Sequence, residues 1–332
     1  MGGFVTPLVV AADTMNVLLG LEVRGAQHSC ARGGVFLGGT VLITDSCCDL
    51  PPAMVQAAGI EVLPFPYTLD GAEHLDDFGQ TMPFEDFYAA LDNGSVAHTS
   101  QVPLVSYYEA FERATQQGKA VLLISLSSAL SGTHDTSVLA RDRFLDENPE
   151  GEIYCVDSKC VSSGQGLLVL EAARRLVDGE TAKDVAEWLE ANKSRVNHIF
   201  TVDSFEHLVR GGRVSPVMGM AGAMLNIKPV LHVDAEGRLV PLKKPRGRYR
   251  AIEMLADMVA ASIENTEQRM IFVSHGDCES DAAILRRVLA AKCGAIERVD
   301  TRTGFIVGTH TGGGILSVFF LGRRRDNALV SR

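Results

Sequence analysis

Small hydroxyl residues follow several apolar segments of this sequence, at positions where predicted strands end. These clusters are Thr44-Asp45-Ser46, His98-Thr99-Ser100-Gln101, Ser125 to Thr133 with Ser127, Ser128, Ser131 and Gly132, Asp157-Ser158, and Ser162-Ser163-Gly164. Ligands bind beyond the carboxyl ends of parallel strands, and helix N-termini with nearby hydroxyl groups form an anion site from neutral donors. A carboxylate suits such a site. The alternative for each cluster is helix capping, which favours the same residue types by about 1 kcal/mol.

A second candidate is His310, which lies in the glycine-rich stretch VGTHTGGG at 307–314. Glycines on both sides would let the backbone wrap closely around a ligand, so the stretch predicts a closing loop. A turn with an incidental histidine is the alternative. A hydrolase built from Ser131 or Ser46 with His310 would need a nucleophile elbow and an orienting acid. The sequence shows neither of these, nor a phosphate-loop, dinucleotide or zinc signature, so we predict no catalytic residue and no metal.

Two further segments suggest a lipid and a partner. MGMAGAMLNI at 218–227 contains three methionines, whose adaptable side chains could line an apolar tunnel; ordinary helix packing is the alternative. KKPRGRYR at 243–250 places five basic residues in eight positions of an acidic chain. It is either a solvated loop or a docking surface for an acidic partner or, transiently, for the anionic face of a membrane.

The composition is that of a globular chain of two domains: 332 residues, 46% hydrophobic and 22% charged. The net charge of −10 argues against nucleic acid as a partner. Seven cysteines without a CxxC pair predict neither a disulfide framework nor a zinc site, and a cytoplasmic location is expected. The apolar run at 4–23 is interrupted by Asp13, Asn16 and Glu22, and no basic residue precedes it. Residues 1–40 are therefore predicted to be an accessory helix or an incorrectly assigned start, rather than a membrane span or a signal peptide.

Strand and helix signals alternate from Val41 onward. Strands are predicted at 41–44, 61–69, 120–126 and 152–158, and helices at 52–58, 83–92, 103–117, 132–146, 164–177 and 181–195. This alternation indicates crossover units, so we predict an α/β protein whose first domain, 41–197, is a three-layer α/β/α domain with a mostly parallel sheet.

After residue 197 the pattern changes. Strands are predicted at 198–204, 269–275, 295–301 and 314–320, a hairpin within 228–244, and helices at 248–264 and 279–291. The hairpin requires antiparallel pairing, so residues 198–322 are predicted to form a second, two-layer α/β domain with a mixed sheet. Residues 323–332 are predicted to be a C-terminal tail.

Seven motifs, in order from about Val41 to Leu321, resemble those of the DegV family. They are TDSCCDLPP (44–52), HTSQV (98–102), ISLSSALSGTHDTSVLA (124–140), VDSKCVSSGQGLLVLEAARRL (156–176), VDSFEHLVRGGRVS (202–215), NIKPVLHVDAEGRLVPLKKPRGRYRA (226–251) and GTHTGGG (308–314). The resemblance implies a protein without a cofactor that binds a long-chain fatty acid in a tunnel, with the carboxyl group at the domain interface. It also implies presentation of that acid to a separate ATP-dependent fatty-acid kinase, for acyl-phosphate formation in phospholipid synthesis. A stand-alone lipid sensor or storage protein is the alternative.

The resemblance assigns roles at the positions that match these motifs. The residues that would bind the carboxylate are Thr99, Ser131, Thr133 and His310, and those that would support the site are Ser46, Ser100, Gly132 and Arg213. Arg246 and Arg248 would face the kinase. The sequence departs from the family pattern at Cys47-Cys48, Val102, His134 and Gly313, and the cysteines and His134 are expected to change the shape of the pocket.

Overall fold

A computed structural model of the chain describes residues 37, 39–216, 226–263, 270–294 and 296–325. Most of the predicted extension at 1–40 and of the predicted tail at 323–332 lies outside these residues. So does the methionine segment at 218–227, except for its last two residues. None of the helices in the described ranges is long and apolar enough to cross a membrane.

The first sheet has four parallel strands in the order β2-β1-β6-β7. They are β1 Thr40–Asp45, β2 Glu61–Leu63, β6 Ala120–Ser125 and β7 Ile153–Asp157. Its helices are Pro52–Ala57, Phe84–Asp92, Leu104–Gln116, Thr133–Glu147, Ser163–Val177 and Ala182–Asn192. The first three of these helices have a proline at the first helical position or just before it, where a missing N–H costs no intrahelical bond.

Alternate residues of the central strand β6 show why helices cover both faces of this sheet. Leu122 and Ile124 pack in a core with the helix Ser163–Val177. Val121 and Leu123 pack in a second core with the helix Leu104–Gln116. Side chains alternate across a strand, so a strand that is apolar at every position must be buried on both sides. The three-layer α/β/α prediction is confirmed.

One predicted strand, at 61–69, is two strands. Its first part is β2; its second part, β3 Pro66–Leu69, turns into a small antiparallel sheet with β4 Ala72–Leu75 and β5 Ala97–Thr99, in the order β4-β3-β5. The strands β3 and β4 are joined by Asp70-Gly71, both at positive φ. Asp-Gly is the signature of a two-residue hairpin, so the signal was present in the sequence.

The second sheet is mixed, with the order β10-β9-β8-β13-β11-β12. Its strands are β8 Val196–Thr201, β9 Val230–Val233, β10 Leu239–Lys243, β11 Met270–His275, β12 Glu297–Arg302 and β13 Leu316–Leu321. Only β11 and β12 pair in parallel. The predicted hairpin is confirmed, with Val233 opposite Leu239. The predicted boundary between 197 and 198 falls inside β8, which belongs wholly to this sheet.

The two faces of the mixed sheet are covered differently. Helices Arg248–Ser262 and Glu279–Cys293 pack on one face, against residues such as Val273 and Val318. On the other face, Phe272 and Phe319 share a core with residues of the helix Ser163–Val177. The mixed sheet with its two helices is therefore a two-layer unit, and the first unit covers the face that the helices leave open.

Two short helices, Glu206–Arg210 and Phe305–Thr311, complete the described structure. The second corrects a prediction, because His310 lies in the last turn of this helix and not in a glycine-rich loop. Phe305 and Ile306 are buried and anchor the segment, and the helix ends at Gly312, whose φ is +75°. Gly312 therefore terminates this helix, and Gly308 lies within it.

Candidate functional site

A narrow cavity lies between the first sheet and the open face of the mixed sheet. Its volume is ≈ 90 Å³. Its wall is mainly apolar, from residues of both units: Phe65, Leu126, Leu130, Val161, Phe200, Leu239, Ile306, Val307, Ile315 and Phe319. The rest of its lining is Cys47, Thr99, Ser100, Gln101, Ser131, Ser162, His198, Arg213, His310, Thr311 and Ser317. Such a wall suits a long apolar ligand with a few oriented polar atoms.

A polar cluster at one part of this cavity joins the two units. Thr99 ends the edge strand β5, and its Oγ1 lies 3.0 Å from Nε2 of His310. Ser131 stands one residue before the N-cap of the helix Thr133–Glu147. Arg213 donates through Nε to the carbonyl of Leu130, 3.2 Å away, which places it beside Ser131. We call Thr99, Ser131, Arg213 and His310 the polar cluster.

The polar cluster carries a positive charge that lacks a counterion. Arg213 is half-buried, and burial lowers the pKa of its guanidinium, which nevertheless stays protonated. It forms no ion pair with a carboxylate of the described residues, and its guanidinium donates to the carbonyls of Leu130 and Gly211. An anion in the cavity would therefore meet an uncompensated cation and several hydroxyl groups.

His310 is neutral at pH 7 in this arrangement. Burial, and then the charge of Arg213, lower the pKa of its imidazole to about 4. Its Nδ1 is buried and has no hydrogen-bond partner among the described residues. Within the described ranges, no acid bonds to Nδ1 of this histidine, which is the contact that a Ser-His-acid triad would require.

Two other residues predicted for the carboxylate site or its support, Thr133 and Ser46, lie outside the cavity lining. Thr133 is fully buried, and its Oγ1 accepts from the backbone N–H of Val102 at 3.2 Å, which fixes the segment that carries Thr99. Ser46 accepts from the N–H of Phe65 at 3.0 Å. Neither Thr133 nor Ser46 lines the cavity, whereas Ser100 does. These hydroxyl groups position the wall.

Gly132 also acts on the wall, as a close-packing position. A Cβ at this position would come within 2.6 Å of Oε1 of Gln101, a residue of the cavity lining. Of the departures expected to change the pocket's shape, only Cys47 lines the cavity. Cys48 is buried in the core around the helix Ser163–Val177, and His134 bonds through Nδ1 to Ser125 at 2.9 Å.

The two arginines predicted to face a partner differ in placement. Arg246 is exposed, beside the exposed Lys244. Arg248 is mostly buried: its Nε donates to Asp281 at 2.7 Å and its guanidinium also donates to the carbonyl of Gly314 at 2.7 Å. Arg248 thus stabilises the segment that follows the helix Phe305–Thr311, whereas Arg246 lies at the surface.

The lining includes polar residues that were missed as site residues, among them Ser162, His198 and Ser317. Ser162 precedes the helix Ser163–Val177 at φ +57° and ψ −148°, a backbone conformation that is nearly confined to glycine. Its hydroxyl donates to the carboxyl of Asp49. The hydroxyl cluster at 162–164 was the available signal for Ser162. For His198 and Ser317 the sequence contained no such signal, because the surroundings of a strand side chain are known only when the strand order of the sheet is known.

Three buried carboxyl groups lie beyond Ser162. Burial raises the pKa of Asp45 to about 6 and that of Asp76 to about 7, and it raises the pKa of Asp49 well above its usual range. Asp49 and Asp76 approach the chain at Gly304, where a Cβ would come within 2.5 Å of Oδ1 of Asp49. Over the described ranges, no three His, Cys, Asp or Glu side chains are grouped so that they could hold a metal ion.

Comparison with known proteins places this architecture in a family. The family model described as "Uncharacterised protein, DegV family" matches residues 40–323. A DegV domain-containing protein of Clostridium perfringens is 38% identical over 286 residues, which are 86% of this chain and 98% of that protein. A solved structure that describes the fatty-acid binding of a DegV family protein from Thermus thermophilus is 28% identical, with a TM-score of 0.76, over 86% of this chain and 99% of that one. A fatty-acid-binding DegV protein from Bacillus subtilis is 27% identical, with a TM-score of 0.73 and the same coverage.

Proposed function

The chain belongs to the DegV family, and from that premise we propose that it binds a long-chain fatty acid in the interdomain cavity and presents the carboxyl group to a separate ATP-dependent kinase. The observation that carries the proposal is the polar cluster, in which Thr99 of the first unit and His310 of the second meet in an apolar cavity. They lie beside Arg213, which has no ion-pair partner among the described residues. Solved relatives described as fatty-acid-binding proteins support the choice of ligand.

For a fatty acid in this cavity, the free energy gained by burying the acyl chain can be compared with the cost of removing the carboxylate from water. Each buried methylene contributes about 0.8 kcal/mol, so an acyl chain of about 15 methylenes contributes on the order of 12 kcal/mol before the costs of binding. The carboxylate must leave water, which costs several kcal/mol unless it is paired and hydrogen-bonded. Arg213 supplies the charge, and Thr99, Ser131 and the neutral His310 supply hydrogen bonds. The acyl chain thus provides affinity, and the polar cluster fixes the orientation.

The cytosol is the compartment that we propose for this function. The six cysteines of the described part are free thiols: Cys47, Cys48, Cys155, Cys160, Cys278 and Cys293. Reduced thiols are typical of proteins that work in a reducing compartment. A fatty-acid kinase that uses cytosolic ATP would meet the carrier there.

Two measurements on the purified protein test ligand binding. Native mass spectrometry after mild extraction is expected to show a co-purified acyl chain, and calorimetric titration of the stripped protein with a long-chain acid is expected to show one site. A protein that binds no fatty acid and turns over an ester instead would overturn the proposal in favour of a hydrolase. Binding without any response to a cognate kinase would favour a sensor or storage protein.

The kinase step has its own prediction, which separates His310 from Arg246. His310 lies in the polar cluster, so His310→Ala is expected to lower the maximal rate of acyl-phosphate formation at saturating carrier, because the carboxylate is no longer positioned. Arg246 is exposed, so Arg246→Ala is expected to raise the carrier concentration needed for half-maximal rate and to leave fatty-acid affinity unchanged.

The assay is a reconstituted reaction with cognate kinase, ATP and titrated carrier. Arg298→Ala is the matched control, because Arg298 also lies at the surface but on β12, and pairs with Asp300. Identical defects in the His310 and Arg246 variants would contradict the division of roles. Normal kinetics in both variants would contradict the kinase partnership.

A further inference from the structure

The floor of the cavity is formed by strands β8 and β13, on which polar and aromatic side chains alternate. The register places Ser317 opposite Phe200 and Phe319 opposite His198. All four line the cavity, so Ser317 and His198 are diagonal neighbours on one face of the sheet. Diagonal neighbours lie about 7–8 Å apart and can both reach the same ligand atom.

The hydroxyl group of Ser317 belongs to the cavity lining and has no hydrogen-bond partner among the described residues. Ser317 is 2% exposed, and its Oγ makes no hydrogen bond to any described residue. On the adjacent strand, the equivalent Ser274 bonds to Oγ1 of Thr303 at 3.0 Å. A hydroxyl group in a mainly apolar wall can donate a hydrogen bond to a ligand, so a serine at this position indicates a polar atom in the ligand.

His198 offers a second unused donor beside Ser317. Its Nε2 accepts from the backbone N–H of Val161 at 3.2 Å, and burial and the charge of Arg325 hold its pKa well below the usual range. The ring is therefore neutral and carries its proton on Nδ1. The backbone of Val196 lies near the ring, but no described group meets hydrogen-bond geometry at Nδ1, which is buried.

The charges nearby decide what kind of atom these donors suit. Ser162, which also lines the cavity, donates its proton to the buried carboxyl group of Asp49. The cation of Arg213 attracts a carboxylate to the polar cluster, whereas Ser162 bonds to Asp49, an acid whose raised pKa favours its uncharged form. The carboxylate therefore belongs at the polar cluster, and a neutral oxygen suits Ser317, His198 and the free lone pairs of Ser162.

We infer that the cavity has a second polar site, formed by Ser317, His198 and Ser162, for a neutral oxygen carried along the acyl chain of a hydroxylated or oxo long-chain acid. This inference rests on the proposed function and names its ligand class more closely. A wholly apolar tunnel would select against such chains, because bringing a hydroxyl group out of water without a new hydrogen bond is unfavourable. At this site, the oxygen on the acyl chain loses its hydrogen bonds to water and gains hydrogen bonds from Ser317 and His198.

The experiment compares octadecanoic acid with a series of hydroxyoctadecanoic acids that differ only in hydroxyl position, each titrated into the stripped full-length protein. We expect one position at which the hydroxy acid binds at least as tightly as octadecanoic acid. Ser317→Ala is expected to lower the affinity for that hydroxy acid about three- to tenfold relative to the affinity for octadecanoic acid, the equivalent of one hydrogen bond. Ser274→Ala, on the adjacent strand but outside the cavity lining, is the control and should leave the ratio of the two affinities unchanged.

Three results would overturn the inference. They are a more than hundredfold preference for octadecanoic acid at every hydroxyl position, an unaltered affinity ratio in Ser317→Ala, and an equal change of that ratio in Ser274→Ala. If Ser317→Ala does not fold, Ser317→Cys keeps the volume and weakens the hydrogen bond, so the same loss is expected. Failure of both acids to bind would instead refute the proposed function together with the inference.

Discussion

At the residue scale, the candidate site depends on contacts between distant parts of the chain. Thr99 and His310 are 211 positions apart and lie 3.0 Å from each other. The spacing of the two residues along the sequence does not predict this contact. The contact forms only because the edge strand β5 and the helix Phe305–Thr311 meet across two units. Matching motifs selected both residues as candidates, and the fold brings them together.

The contribution of Thr99 can be measured with a change of nearly equal shape. Thr99→Val removes a hydroxyl group from the polar cluster, and the loss of one hydrogen bond to a charged oxygen is expected to weaken fatty-acid binding by about 1.5–3 kcal/mol. Thr309→Val is the control, because Thr309 donates to the carbonyl of Phe305 within its own helix and does not line the cavity. Calorimetric titration that gives the two variants equal affinities would remove Thr99 from the site.

The protonation of His310 is expected to report on ligand binding. Its pKa is about 4 in the empty cavity, because burial and Arg213 disfavour the imidazolium. A carboxylate beside the ring favours the imidazolium, so the pKa is expected to rise when a fatty acid binds. An NMR titration of the imidazole from pH 3 to 8, with and without the acid, measures this shift. Equal pKa values in the two states would place the carboxylate elsewhere.

At the scale of elements, the hairpin β9–β10 forms part of the wall and docks on the first unit. The hydroxyl group of Ser127 donates to the carbonyl of Gly237 at 3.0 Å, and Gly237 has a φ of +86°. A Cβ at Gly237 would come within 2.1 Å of that hydroxyl oxygen. Leu239, two residues later, lines the cavity, so this contact fixes one wall of the site.

Gly237→Ala is therefore expected to lower the free energy of unfolding for two reasons. The alanine must adopt the left-handed conformation of Gly237, and its Cβ must also clash with the hydroxyl oxygen of Ser127. The control is Gly179→Ala, at φ +95° with nothing within 4 Å of the new Cβ, where the left-handed conformation alone is expected to cost about 1–2 kcal/mol. Urea unfolding should show at least about 1 kcal/mol more loss at Gly237, together with weaker fatty-acid binding. Equal losses of unfolding free energy in the two variants would mean that the hairpin can move away from Ser127 without a cost in stability.

The elements show how far the sequence predicts this fold. The continuously apolar strand β6 and the alternating helices of the first unit were predicted closely, because burial on both faces leaves a strong local signal. The small sheet β4-β3-β5 was not predicted, since residues 61–69 were predicted as one strand although Asp70-Gly71 directly follows them. The roles of His198 and Ser317 could not be predicted, because they depend on strand order, which local patterns do not specify.

At the scale of the whole molecule, the buried acids between the units make stability depend on pH. The pKa of Asp76 is about 7 in the folded protein and about 3.9 in an unfolded chain. The folded state thus holds a proton that the unfolded state releases. This contribution to stability is full below pH 4 and is lost as the pH rises through 7, by up to about 1.4 kcal/mol per pH unit.

Asp76→Asn isolates this contribution, because the buried histidines, including His198 and His310, have lowered pKa values and act in the opposite sense over the same range. The amide oxygen of the new side chain can still accept from the N–H of Phe78, as Oδ1 of Asp76 does. Urea unfolding at pH 5, 6, 7 and 8 should show the stability of the wild type, relative to the variant, falling between pH 5 and 7 and levelling above. A constant difference would mean that Asp76 titrates normally.

The position of the last strand has a consequence for synthesis of the chain. β13 lies in the middle of the mixed sheet, paired with β8 on one side and with β11 on the other. A nascent chain that has not reached residue 316 holds two separate half-sheets, and the helix Ser163–Val177, buried at eleven of its fifteen residues, still exposes the face that the mixed sheet will cover. The second unit and the cavity therefore close only after β13 has been synthesised, and a chain truncated before β13 is expected to stay exposed to chaperones and proteases.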